Sequence, residues 1–137
     1  MNSIRILVFS LLVLSLLNNY VSAETFISEY SILHDQPHFN EISGKQLFLG
    51  ICQGCHMSEG EGAIGAGYYP ALANNEKLYA SGYPIYLVLE GSGNMPAFKK
   101  YLTDEQVMSV VNYIRTTMGN HARDSVSLAD VQAISHR

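Results

Sequence analysis

The chain has 137 residues, with 8 Lys and Arg against 12 Asp and Glu, and therefore a formal net charge of −4 at pH 7. This length suits one domain rather than two. The acidic balance argues against a nucleic-acid partner, because few cations are present to neutralise phosphates. No internal repeat of 20–50 residues is visible.

Residues 1–23 are typical of an export signal. Arg5 gives a short positive region, residues 6–17 are almost entirely apolar, and Val21-Ser22-Ala23 offers small residues for cleavage. The apolar run is well short of the roughly 20 residues that a membrane-spanning helix needs, although an uncleaved anchor remains the alternative. We therefore expect a cleaved signal peptide and a periplasmic protein, with no stable membrane span after cleavage.

Three further segments are predicted after the signal. Residues 24–41 form an N-terminal extension without clear periodicity, in which Pro37 argues against one continuous helix. Residues 42–120 carry the helical patterns of a domain. Residues 121–137 form a C-terminal tail, in which Ser127 is a candidate cap for a short helix.

Cys52-Gln53-Gly54-Cys55-His56 reads C-x-x-C-H and contains both cysteines of the chain. This is the attachment signature of a c-type haem. Two thiols at this spacing add to the two vinyl groups of one porphyrin, and the imidazole that follows reaches the iron as the proximal ligand. The alternatives are a thioredoxin-like redox dithiol and half of a zinc site. Because no strand pattern precedes Cys52, as a thioredoxin-like motif requires, haem attachment is favoured.

An amphipathic helix is predicted to end in this motif, because small and apolar residues recur at the spacing of one helix face: Gly44, Leu47, Phe48, Ile51 and Cys55. We expect the last helix of the domain to cross it at Gly44 and Phe48. Residues 60–65 then spell G-x-G-x-x-G, the dinucleotide fingerprint. That fingerprint works only between a strand and a helix, so we interpret this segment as a flexible loop around the haem edge.

Three elements are predicted downstream. A short polar helix or turn covers residues 74–78, and a largely buried helix begins near Pro84. The clearest helix follows Thr103, which forms a capping-box pattern with Gln106. Gly119 is expected to stop that helix.

Met95 and Pro70 are the candidates for completing a haem site. A thioether opposite histidine suits haem iron and raises its reduction potential, and Pro96 biases Met95 away from helical geometry, into a loop. The alternative is that Met95 fills a gap in the core. The backbone carbonyl of Pro70 is a candidate acceptor for the second ring N–H of His56, and the alternative is that Pro70 only ends a loop.

With these residues, the chain resembles the class I c-type cytochromes over roughly residues 42–120. The resemblance rests on motifs in the order and spacing of that family: Gly44 and Phe48, the C-x-x-C-H motif, the segment ending at Pro70, Met95-Pro96-Ala97-Phe98 and the helix through Tyr113. It implies an all-α class, the small class I cytochrome c fold, with the haem in a cleft between the N- and C-terminal helices. It also implies one haem c bound covalently by Cys52 and Cys55, with His56 and Met95 as axial iron ligands and Pro70 supporting His56.

A looser resemblance, through residues 94–120 and Ala129-Asp130-Val131, is to the cytochrome subunits of exported dehydrogenases for alcohols, sugars and sugar acids. Those subunits often hold several haems, whereas this chain has one motif. The resemblances imply a non-catalytic one-electron carrier between a dehydrogenase donor and an oxidase or another cytochrome as acceptor. Three alternatives stay open: a five-coordinate haem enzyme or sensor, a thiol–disulfide oxidoreductase, and bis-histidine ligation through His34, His38, His121 or His136.

Overall fold

The computed structural model describes residues 39–65 and 67–136. The predicted signal peptide over residues 1–23 lies outside these residues, as does most of the predicted extension over residues 24–41, with His34 and His38. Within the described part of the chain, no helix has the length and apolar character needed to cross a membrane.

Helices make up most of the regular structure. Helix α1 (Gly44–Leu47) continues through a π-helical turn (Phe48–Cys52) into α2 (Gln53–His56). A small antiparallel hairpin follows, in which β1 (Ala63–Ile64) pairs with β2 (Tyr68–Tyr69). After it come a 3-10 helix (Glu76–Tyr79) and the longer helices α3 (Gly82–Glu90), α4 (Asp104–Thr116) and α5 (Leu128–Ser135).

Helix α4 begins where the sequence predicts it. The Thr103 side chain accepts a hydrogen bond from the Gln106 backbone N–H, and the Gln106 side chain accepts one from the Thr103 backbone N–H. The predicted capping box is therefore confirmed. The helix ends at Thr116, before the predicted stop at Gly119, because Thr117 is already extended.

The first helix departs from the regular α-helix that the sequence pattern predicts. In its π-helical turn, the Gln53 N–H donates to the Phe48 carbonyl, five residues back. This wider turn rotates the following residues relative to those before it, which breaks the predicted face. Leu47 and Phe48 are buried as expected, but Cys55 is exposed. The sequence pattern placed Cys55 on the same helix face as Leu47 and Phe48, and the π-helical turn interrupts that face. Such π-turns occur frequently at functional sites.

Helix α1 crosses α4 at Gly44. A Cβ atom at this position would overlap the Ser109 carbonyl oxygen and lie 2.7 Å from Tyr113 Cβ, so only glycine allows this close approach. One turn later, the centroids of the Phe48 and Tyr113 rings lie 5.6 Å apart. The predicted contact at Gly44 and Phe48 is confirmed, and it seats the helix of the C-x-x-C-H motif against the longest helix.

The core lies where α1, α3, α4 and α5 pack together. Each aliphatic side chain buried there contributes about 1.5–3 kcal/mol relative to an exposed one. The buried members of the core are Leu47, Phe48, Leu78, Ile85, Val88, Leu89, Leu102, Val107, Val110, Val111, Ile114, Val126 and Val131.

Arg115 is a charged side chain placed wholly inside this structure, with 0% of its surface exposed. Its guanidinium donates to the carbonyl oxygens of Leu78 and Tyr79 at 2.8 and 2.9 Å, and to both carboxylate oxygens of Asp124 at 2.8 and 2.9 Å. The hydrogen bond from Arg115 is the main reason that the pKa of the Asp124 carboxyl is lowered. Arg115 thus ties the 3-10 helix to the segment that leads into α5.

The predicted short helix after Ser127 is present as α5. Ser127 and Asp130 form a capping box at its start, and Val131 is buried on the side that faces α3 and α4. Just before it, the Asn112 side chain donates to the Val126 carbonyl at 2.9 Å and accepts from the Val126 N–H at 2.8 Å. The described part of the C-terminal tail therefore packs on the helices that precede it.

Candidate haem site

An apolar cleft, partly open to solvent, contains four of the five residues that the sequence singled out. Cys52, His56, Pro70 and Met95 all contribute to its lining, whereas Cys55 is exposed. The remaining lining is largely aliphatic and consists of Leu72, Asn75, Leu78, Tyr83, Pro84, Leu87, Val88, Val110 and Ile114. Sequence positions up to 62 residues apart are thus gathered around one space.

His56 is the last residue of α2 and only 8% exposed. Its Nδ1 atom lies 2.9 Å from the Pro70 carbonyl oxygen. Because a carbonyl oxygen only accepts, Nδ1 carries the hydrogen, and in the neutral form of such a ring Nε2 is the nitrogen with the lone pair that a metal ion binds. In metal-ligating histidines, a hydrogen bond from the ring nitrogen that does not bind the metal fixes the ring orientation and raises the basicity of the other nitrogen.

Backbone hydrogen bonds around two glycines hold the Pro70 segment next to His56. The Gly60 carbonyl accepts from the Leu72 N–H at 2.7 Å, and the Gly62 N–H donates to the His56 carbonyl at 3.0 Å. Both glycines have φ near +69°. The segment that the sequence suggested to be a flexible loop is therefore organised as the β1–β2 hairpin, in which backbone pairing fixes its course.

Asn120 is a buried residue that sequence reasoning missed. Its side-chain amide donates to the carbonyls of Leu72 and Ile114, both at 2.7 Å, and its oxygen accepts from the Asn75 N–H at 2.8 Å. These bonds fasten two cleft-lining residues to the end of α4. The sequence signal was only an asparagine just after Gly119, because a lone buried amide leaves no periodic pattern.

Met95 lies in the loop between α3 and α4. The Ser92 N–H donates to the Met95 carbonyl at 3.1 Å, and the Met95 N–H donates to the Ser92 carbonyl at 2.9 Å. At the base of the same loop, Lys99 Nζ and Glu90 Oε1 are 2.9 Å apart, an exposed pair of modest value. The Met95 backbone is therefore held in a closed turn while its side chain contributes to the cleft.

The environment of Cys52 argues against a redox dithiol. Burial, with a smaller effect from Cys55, raises the pKa of the Cys52 thiol to about 11. Thiol–disulfide oxidoreductases instead lower the pKa of their attacking thiol, because the thiolate is the nucleophile. A zinc site also lacks support, since residues 39–65 and 67–136 contain no group of three or more His, Cys, Asp or Glu placed to hold a metal.

The residues of the cleft fit a covalently held haem. A haem is flat and mostly apolar, and its iron accepts imidazole and thioether ligands. The cleft combines aliphatic walls with one imidazole, one thioether and one of the two thiols of the C-x-x-C-H motif. His56 in addition has the hydrogen-bonded Nδ1 that the role of an axial ligand requires.

Comparison with known proteins points the same way. A family model described as cytochrome c oxidase, cbb3-type, subunit III matches residues 40–114, more than half of the chain. The cytochrome c subunit of an alcohol dehydrogenase (quinone) from Gluconobacter oxydans is 29% identical over 105 residues, covering 67% of this chain and 22% of that protein.

Two other relatives differ in how much of their own length the match covers. The gluconate 2-dehydrogenase cytochrome c subunit of Pantoea cypripedii is 31% identical over 107 residues, covering 67% of this chain and 24% of that protein. The cytochrome c6 of Synechococcus elongatus is 34% identical over 73 residues, covering 53% of this chain and 84% of that protein. The match thus spans less than a quarter of either dehydrogenase subunit but most of the small cytochrome.

Proposed function

We propose that this chain, which belongs to the cytochrome c family matched over residues 40–114, is a periplasmic one-electron carrier with His56 and Met95 as iron ligands. Membership of the family confirms the predicted cytochrome c fold, the covalent haem c and the role of a carrier rather than an enzyme. Cys52 and Cys55 are the proposed attachment points, and the Pro70 carbonyl is the proposed support of His56.

The observation that carries the ligand proposal is the meeting of His56 and Met95 in one apolar cleft. When bound, the haem iron stores one electron by changing between its ferric and ferrous states. The bond of His56 Nδ1 to Pro70 holds the imidazole in the ligating tautomer. The two backbone hydrogen bonds between Ser92 and Met95 hold the loop that carries the Met95 thioether. Two strong ligands leave no coordination position for a substrate, which favours electron transfer over catalysis.

The proposed donor is a dehydrogenase that oxidises alcohols, sugars or sugar acids, and the proposed acceptor is an oxidase or another cytochrome. The dehydrogenase subunits among the relatives support this choice of donor. The small cytochrome c6, which the match covers over most of its length, supports the role of a small haem carrier. A dehydrogenase that holds the chain permanently and one that contacts it transiently are both consistent with this donor class.

The proposal is tested by the absorption spectrum of the haem-loaded ferric protein, isolated from a periplasmic fraction and titrated with imidazole. We expect a methionine–iron charge-transfer band that persists until imidazole is in large excess, because the thioether already occupies the iron. Absence of the band, together with ready binding of imidazole, would instead indicate a five-coordinate haem enzyme or sensor. Co-purification of a dehydrogenase from the same fraction identifies the donor.

A further inference from the structure

We propose that Gly62 and Gly91 are positioning residues. Gly62 holds the backbone that supports His56, Gly91 holds the backbone of Met95, and both do so through the same kind of backbone contact. In each case a glycine with a positive φ lies directly against the backbone of a three-residue segment, Tyr69-Pro70-Ala71 or Met95-Pro96-Ala97. This inference rests on the proposed function, since it takes His56 and Met95 as the iron ligands.

Gly62 lies against the segment that carries the Pro70 carbonyl. A Cβ atom at Gly62 would overlap the Tyr69 carbonyl oxygen and lie 2.7 Å from the Ala71 nitrogen and 2.8 Å from the Pro70 carbonyl carbon. All three are backbone atoms, so no side-chain rotation relieves the contact. The Gly62 N–H also donates to the His56 carbonyl at 3.0 Å. Gly62 therefore sits between the histidine and the segment that accepts its Nδ1 hydrogen.

Gly91 lies in the same way against the segment that carries Met95. A Cβ atom at Gly91 would lie 2.5 Å from the Met95 carbonyl oxygen, 2.9 Å from the Ala97 nitrogen and 2.9 Å from the Pro96 carbonyl carbon. The Gly91 N–H donates to the Leu87 carbonyl at 2.9 Å, which anchors the glycine on α3. The backbone of Met95 is thus packed against a fixed point.

The contact is particular to these two positions and is not shared by every glycine with a positive φ. Gly62 and Gly91 have φ of +69° and +74°, whereas Gly93 has φ of +57° and nothing within 4 Å of the place that a methyl group would take. Gly60 has φ of +69°, but the nearest atom to its methyl position is the Met118 sulfur, at the end of a flexible side chain. Gly93 is therefore a control that shares the positive φ and lies in the same loop as Met95, but lacks the contact.

An added methyl group has a different expected effect at each position. At Gly62 it displaces the Pro70 carbonyl and weakens the bond from His56 Nδ1. The imidazole then becomes a poorer electron donor, which favours ferrous iron and raises the reduction potential. At Gly91 it displaces the Met95 backbone and weakens or removes the thioether ligand.

The experiment compares G62A, G91A and G93A in the haem-loaded full chain, with the ferric spectrum, the reduction potential and imidazole affinity as readouts. We expect G91A to lose the methionine–iron band and to bind imidazole at least about tenfold more tightly than the wild type. We expect G62A to keep the band and to show a raised reduction potential. G93A should match the wild type in all three readouts.

Amide hydrogen exchange in the wild-type holoprotein tests the same idea without depending on the folding of any variant. The N–H groups of Gly62 and Gly91 should exchange much more slowly than that of Gly93. Equal exchange at the three glycines would overturn the inference. The inference would also be overturned if G62A and G91A matched G93A in all three readouts. It would be overturned as well if G62A and G91A changed the methionine–iron band and the reduction potential in the same way. A wild-type protein without the methionine–iron band would instead overturn the proposed ligation itself.

Discussion

Met95→Ala is expected to remove the methionine–iron band and to lower the reduction potential by at least about 59 mV, which is a tenfold change in a one-electron equilibrium. A thioether ligand opposite histidine favours ferrous iron and raises the potential. Met95 is the methionine of the cleft lining, in a loop whose backbone is closed by bonds to Ser92. Spectroscopy and redox titration of the haem-loaded variant measure both effects.

Met108→Ala is the matched control for that variant. Met108 is partly buried and packs against the core from within α4, so its loss should lower stability without changing the band or the potential. A spectrum of Met95→Ala identical to that of the wild type would contradict Met95 ligation. That result would direct attention to the bis-histidine alternative, for which the candidates are His34, His38, His121 and His136.

Arg115→Ala is expected to lower the free energy of unfolding by about 3 kcal/mol or more. Removal of the fully buried guanidinium leaves the buried Leu78 carbonyl without its donor, at a cost of about 1–3 kcal/mol for an unsatisfied buried group, and also breaks the bonds to Tyr79 and Asp124. It also opens a cavity beside Leu78, which contributes to the lining of the haem cleft. Denaturant unfolding measures the loss.

Two further variants show whether the loss of stability comes from the planar set of N–H donors of the Arg115 guanidinium. Arg115→Lys keeps the charge but not the planar set of donors, so an intermediate loss is expected. Arg123→Ala removes an exposed arginine and should stay within about 0.5 kcal/mol of the wild type. Equal stabilities for Arg115→Ala and Arg123→Ala would show that the buried network is not stabilising.

The difference in unfolding free energy between the wild type and Arg115→Ala is expected to depend on pH. Asp124 has a lower pKa in the folded protein than the roughly 3.9 of a free carboxyl, chiefly because of its hydrogen bond from Arg115. Its contribution to stability is therefore present above about pH 4 and is lost as the pH falls through the folded pKa. The gap in unfolding free energy between the wild type and Arg115→Ala should narrow as the solution becomes more acidic than about pH 4.

Short-range patterns account for what the sequence predicted. The C-x-x-C-H motif, the capping box of Thr103 and the glycine at the helix crossing each depend on residues close in sequence or on one helical face. Such features follow from the geometry of a single turn or helix. The fold class followed from the family resemblance that these motifs carry, and the contact of Gly44 with α4 from a small residue on one helix face.

The features that were missed depend on backbone groups far away in the chain. Arg115 and Asn120 each donate to carbonyl oxygens that lie 36 to 48 residues away in the chain, and every residue type supplies a carbonyl. The π-helical turn likewise interrupts the first helix without a signal in the apolar pattern. The contacts at Gly62 and Gly91 are of the same kind, because they are made to backbone atoms across a loop.

The most direct test of the central claim is the intact mass of the protein purified from cells competent in cytochrome maturation. The proposed attachment through Cys52 and Cys55 predicts the mass of the chain from residue 24 plus one haem, which stays bound under denaturing conditions. The C52S/C55S double variant should lack that addition. A wild-type mass equal to that of the bare processed polypeptide would contradict the account.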